Sequence, residues 1–134
     1  MKWKKLKAVT YIVVHGSATK DDQDIGVEEI RRSHRQKGWL DIGFHYVIRR
    51  DGTIEDGRPY DVPGAHARGY NDKSLGICLV GMNYTEVQLE SLSQLLVDLT
   101  STHYDAVVCQ EDDLPNRNKP RLSFDLKAWW DSVE

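Results

Sequence analysis

Between residues 9 and 15 the chain reads Val-Thr-Tyr-Ile-Val-Val-His, an apolar stretch that ends on a histidine and passes into the small-residue loop Gly16-Ser17-Ala18-Thr19. Apolar residues at successive positions mark a strand covered on both faces. Val9 to His15 is therefore predicted as an interior strand that delivers His15 to the floor of a cleft. Leu75 to Val80 repeats the pattern, and Ala106 to Cys109 gives a shorter third run. Gly43 to Glu55 alternates instead with period two around Asp51-Gly52. This predicts a hairpin with Phe44, Tyr46 and Ile48 on one face and His45, Val47 and Arg49 on the other.

A helical period takes over elsewhere. Val27, Ile30 and His34 share one face of a helix over 27–37, with glutamates early, arginines late and Gly38 as its stop. Thr85-Glu86-Val87-Gln88 is a capping box opening a helix to about His103, with Leu89, Leu92, Leu96 and Leu99 inward. Ser123 is expected to cap a last helix from Phe124 to about Val133, with Asp125 in its first turn. Strands and helices alternate around one hairpin, so the predicted class is α/β: a mixed central sheet flanked by helices. The 134 residues are read as one domain, 1–134, with a basic solvated tail at 1–7. The loop 57–73 is long enough to line a site, and 110–122 is a polar, Pro-containing loop.

Composition narrows the partners. A net charge of −3 argues against general nucleic-acid binding, which needs a basic surface. The apolar run after the basic tail is shorter than the roughly 7–15 residues of a signal-peptide core. No stretch reaches membrane-spanning length. Cys78 and Cys109 sit in apolar strands and read as buried thiols of a reducing cytosol, so the expected location is cytoplasmic.

Several long motifs then occur in a fixed order: Val13-Val14-His15-Gly16-Ser17-Ala18-Thr19-Lys20, Gly38-Trp39-Leu40-Asp41-Ile42-Gly43-Phe44-His45-Tyr46, Arg50-Asp51-Gly52-Thr53, Ala65-His66-Ala67-Arg68-Gly69-Tyr70-Asn71, Gly76-Ile77-Cys78-Leu79-Val80-Gly81 and Ser123-Phe124-Asp125-Leu126-Lys127-Ala128-Trp129-Trp130. Over nearly its whole length the chain resembles the T7 lysozyme-like N-acetylmuramoyl-L-alanine amidases of the type 2 amidase and peptidoglycan-recognition-protein superfamily. The resemblance implies that fold. In active members it also implies a zinc ion held by two histidines and a cysteine or aspartate, with a tyrosine and a lysine assisting.

Carried over residue by residue, the resemblance breaks at the chemistry. His15 matches the first histidine ligand. Phe44 stands at the assisting tyrosine and has no hydroxyl. Glu111 stands at the second histidine ligand, with Asp112 or Asp113 as alternatives if the gap falls elsewhere. Arg121 stands at the cysteine ligand, and Lys119 matches the assisting lysine. Arginine offers only donors and cannot hold a metal. The sequence therefore predicts a degenerate zinc site at His15, Glu111 and Arg121, no bound cofactor, and a Glu111–Arg121 ion pair in the metal's place. His45 is expected to be structural, His66 matches a histidine of the family's cleft-side loop and is open between a structural and a functional role, and His34 and His103 are expected to lie on helix surfaces or ends.

Three functions remain open at this stage. The first is a non-catalytic binding or inhibitory protein, its protein partner an RNA polymerase or a host defence component. The second is a metal-independent hydrolase or sponge of an anionic small ligand such as a cyclic nucleotide. It would use His15 and His66 as base and acid, with Lys119, Arg121 and Arg68 holding phosphate. The third is peptidoglycan recognition without cleavage. An active amidase is the reading the ligand set favours least.

Overall fold

The computed structural model describes residues 4–115 and 122–133. Among them five strands form one sheet: β1 (Tyr11–Gly16), β2 (Tyr46–Ile48), β3 (Ile54–Asp56), β4 (Ser74–Leu79) and β5 (Val107–Gln110). Three α-helices accompany it: α1 (Val27–Gln36), α2 (Glu86–Thr102) and α3 (Leu126–Asp131). The strand order is β3-β2-β4-β1-β5. Every neighbouring pair is parallel except the β2–β3 hairpin. The mixed sheet flanked by helices is thus the class read from the sequence.

The continuous apolar runs are explained by cover on both faces. Ile12, Val14, Ile48, Ile77 and Leu79 face one way and pack against Leu92, Leu95 and Leu96 of α2 and Leu126 of α3. Val47, Cys78 and Val80 face the other way and pack against Val27 and Ile30 of α1. Val13 and Cys109 share that second face and meet Ala67 and Leu114. Fully burying each such aliphatic chain contributes roughly 1.5–3 kcal/mol. Both cysteines are free and buried, and burial pushes each thiol up to about 12.

Helix ends follow the expected chemistry with one exception. Gly38 follows α1 at φ +91°, a conformation glycine adopts without strain. Thr85 caps α2, its hydroxyl accepting from the Gln88 N–H at 3.1 Å. Gln88 is itself buried: its amide donates to the carbonyls of Ile48 (3.2 Å) and Val80 (2.9 Å) and accepts from Thr85 N–H (3.0 Å). The inward face of α2 is Gln88, Leu92, Leu95 and Leu96, with Leu89 and Leu99 only partly covered. The exception is α3. Asp125, not Ser123, is its cap, accepting from Ala128 N–H at 3.1 Å, and the helix stops at Asp131.

Three further expectations need correction. β2 starts only at Tyr46, so the alternation does not extend back to Phe44. Phe44 packs on the α1 side with Val47, whereas Tyr46 and Ile48 face α2. The cause lies in the preceding segment, which bends to give His45 N–H to Gly76 O (2.9 Å) and Phe44 O to Arg58 N–H (2.9 Å). The basic tail is tied down at its inner end. Lys5 Nζ meets Asp61 at 2.5 Å, and Leu6 N–H donates to Asp61 O at 2.8 Å. Finally, His34 lies under the α1 face, 8 % exposed, not on a helix surface.

Candidate functional site

The α1-side face of the sheet carries a cleft of about 740 Å³ whose lining includes His15, His34, Trp39, Phe44, His66 and Glu111. A neighbouring hollow of about 300 Å³ shares His34, Lys37 and Phe44 with it. A separate hollow of about 540 Å³ between α2 and α3, lined by Val97, Thr100, Ser101 and Trp130, has no cluster of titratable groups.

His15 leaves β1 on the same face as Val13, opposite Cys78 of β4. His66 comes from the loop before β4 and lies over Gly76. A Cβ at Gly76 would stand 2.5 Å from His66 Cγ, so glycine is needed there to admit the ring. The loop is pinned by Asn71, whose side-chain oxygen accepts from the N–H groups of His66 and Ala67, both at 2.9 Å. Glu111 enters from the 3-10 turn Glu111–Asp113 that follows β5. Phe44 closes one wall, its ring 5.2 Å from His15 and 5.6 Å from His34.

These side chains form a hydrogen-bonded line. His15 Nε2 meets His66 Nδ1 at 3.0 Å, and His66 Nε2 meets Ser74 Oγ at 3.2 Å. Ser74 donates its hydroxyl proton to Tyr70 O at 2.6 Å. Its oxygen is left as an acceptor, so His66 carries its proton on Nε2 and offers the Nδ1 lone pair to an N–H of His15. The remaining nitrogen of His15, Nδ1, faces Glu111 Oε1 at 3.5 Å. Burial holds His66 well below the usual histidine range, with His15 and His45 adding to the effect, which agrees with a neutral ring.

The other histidines divide by partner. His45 is fully buried: Nε2 donates to Val62 O at 2.8 Å, and Nδ1 accepts from Gly76 N–H at 3.0 Å. The expectation of a structural role agrees with these bonds. Burial lowers it to about 4. His34 accepts from Gly43 N–H on Nδ1 at 2.8 Å and is likewise lowered to about 4 by burial, then by Lys37 and Arg58. Its ring lies 4.5 Å from Trp39. His103 is the C-terminal cap of α2.

Of the residues singled out from sequence, the structure gathers His15, Phe44, His66 and Glu111 around one cleft, with Arg68 on its rim. Lys119 and Arg121 lie outside the described residues, and with them the Glu111–Arg121 pair. Asp113 turns back to accept from Gln110 N–H at 3.1 Å. His34, Lys37, Trp39, Asn71 and Ser74 were missed. For His34 the signal was present, since a polar residue on the apolar stripe of α1 is by itself informative. Among the described residues no group of three His, Cys, Asp or Glu side chains is arranged to hold a metal ion.

Comparison with known proteins places the fold and the family. The N-acetylmuramoyl-L-alanine amidase family (Amidase_2) matches residues 5–119. The endolysin of Escherichia phage T7 is 43 % identical over 143 residues, covering 100 % of this chain and 93 % of the phage protein. The N-acetylmuramoyl-L-alanine amidase LysC of Clostridium intestinale superposes with a TM-score of 0.81 at 27 % identity, over 96 % of this chain and 91 % of LysC. Peptidoglycan recognition protein LE, solved in complex with tracheal cytotoxin, a monomeric diaminopimelic acid-type peptidoglycan, gives 0.75 at 25 % identity, over 87 % of this chain and 77 % of that one. On fold, motif order and coverage alike, the chain belongs to the N-acetylmuramoyl-L-alanine amidase family, as a T7 lysozyme-like type 2 amidase.

Proposed function

We propose that this chain binds peptidoglycan fragments in the His15 cleft and does not cleave them by zinc-dependent hydrolysis. The observation that carries the reading is the donor set at His15: its two nitrogens face His66 Nδ1 at 3.0 Å and Glu111 Oε1 at 3.5 Å, and among the described residues no three His, Cys, Asp or Glu side chains are grouped to hold a metal ion. A zinc ligand needs an imidazole lone pair turned toward the metal, plus two further N, S or O donors from the protein. Here the sequence supplies an arginine, Arg121, at the position of the family's thiolate, and the donor set does not fit zinc. Phe44 also lacks the hydroxyl of the family's assisting tyrosine.

What remains suits a muramyl peptide. Trp39 is partly exposed on the cleft wall, an apolar face on which a sugar ring can stack, with Lys37 Nζ 5.5 Å from its centroid. Lys37 and Arg68 line the same cleft and present cations to the carboxylates of a stem peptide. The complex formed by recognition protein LE supports the same ligand class. Retained hydrolysis is the competing reading, favoured by the endolysin relatives. The two are separated by one set of measurements on protein dialysed against a mild chelator. Co-sedimentation with purified sacculi, zinc well below one per chain by elemental analysis, and unchanged sacculus turbidity with added zinc are expected. Zinc near one per chain, or clearing of the suspension, would overturn the proposal.

A further inference from the structure

Arg58 is a buried cation, 8 % exposed, that follows the hairpin and lines neither hollow of the cleft. Its guanidinium reaches backbone carbonyls on two other segments. Nε donates to Ile42 O at 2.9 Å, Nη1 to Pro63 O at 2.9 Å, and Nη2 makes a longer 3.4 Å contact to Asp41 O. Its own backbone N–H donates to Phe44 O at 2.9 Å. Ile42 lies two residues before Phe44, and Pro63 lies three before His66. These are the two walls between which His15 sits.

The segments touch backbone to backbone. Ala65 N–H donates to Gly43 O at 3.0 Å. A Cβ at Gly43 would collide with the Ala65 carbonyl, and one at Gly57 with the Phe44 carbonyl. The segments are therefore packed closely where they meet, and the guanidinium of Arg58, itself buried, donates to the Ile42 and Pro63 carbonyls on either side of that contact. A planar fork with several fixed N–H directions serves carbonyls on two segments at once, whereas an ammonium is a single point.

We propose that Arg58 is the positioning residue of this cleft: one guanidinium clamps the segment carrying Phe44 to the segment carrying His66 and thereby sets the His15–His66 hydrogen bond. Its functional meaning rests on the ligand-binding reading above, but it is testable with no ligand present. In ¹⁵N-labelled Arg58→Lys, which keeps the charge, the imidazole nitrogen signals of His15 and His66 should shift and average, with the far-UV circular dichroism unchanged. Leu92→Ala, on the other sheet face, should lower the melting temperature while leaving those signals where they are. Unshifted imidazole signals in Arg58→Lys, or the same shifts in Leu92→Ala, would overturn the assignment. If Arg58→Lys does not fold, the wild-type protein decides. Separate, slowly exchanging Arg58 guanidinium N–H signals are expected, and one rapidly averaged signal would refute the clamp. Loss of sacculus binding in Arg58→Lys would extend the clamp to function. Binding that is absent already in the wild type would overturn the ligand reading and leave the clamp intact.

Discussion

The two faces of this sheet are built from alternate residues of the same strands, yet they are chemically unlike. Toward α2, the strands present Ile12, Val14, Ile48, Ile77 and Leu79, packed on leucines. Toward α1, the same strands and their loops present His15, His45 and His66, with His34 and Arg58 close by. The first face is stabilised by area removed from water and is insensitive to proton concentration. The second holds buried polar groups that are tolerated because each finds a hydrogen-bond partner, and it responds to pH. Stability and chemistry are thus divided across a layer one residue thick.

That division can be tested, beginning with acid. His34 and His45 titrate near 6.5 when unfolded and about 4 when folded, so between those values the unfolded chain binds more protons than the folded one. Stability is therefore full above about 6.5 and is lost as pH falls toward 4, by roughly 3 kcal/mol for each ring. Urea midpoints measured from pH 7 to 4.5 should fall steadily, and a flat profile would contradict the polar-face account.

Leu92→Ala attacks the other face. Leu92 of α2 is fully buried against the sheet, and its truncation should remove about 2–5 kcal/mol at any pH, shifting the midpoint without changing its pH slope. A changed slope would mean that the two faces are coupled.

His45→Leu should cost about 2 kcal/mol at neutral pH, because Val62 O and Gly76 N–H are left without their ring partner. It should also flatten the acid dependence, and a variant as stable as the parent at pH 7 would show those two bonds to be unimportant. The smallest effect is expected at Ala18, the only non-glycine residue with positive φ (58°) among the described residues. Ala18→Gly relieves left-handed strain but adds chain entropy, so a gain of a few tenths of a kcal/mol is expected in thermal unfolding.

The sequence was most informative where periodicity and burial coincide. Leu75 to Val80 and the Thr85–Gln88 box were placed to within a residue because covered strands and capped helices have local signatures. Phe44 was put on the wrong face because its direction is set by a bend held by Gly76 and Arg58, residues far along the chain. Asp125 displaced Ser123 as a cap because either residue type fits, and only the path of the chain after Leu122 selects between them. At the site, His15 was found through its strand end and Glu111 through the family resemblance. Ser74 carried no warning, since a small polar residue at the start of a strand is ordinary. The proton count that fixes His66 depends on it nonetheless.

Gln88 carries a consequence for how the molecule opens. Its amide is part of the first turn of α2 and also joins the ends of β2 and β4, so neither can come apart without exposing groups that belong to the other. Helix nucleation is unfavourable for an isolated segment, and here the first turn is held both by its own Thr85–Gln88 capping box and by the strand pair. The start of α2 and the β2–β4 junction therefore form one cooperative unit, whose amides exchange with solvent together and not as separate local frays.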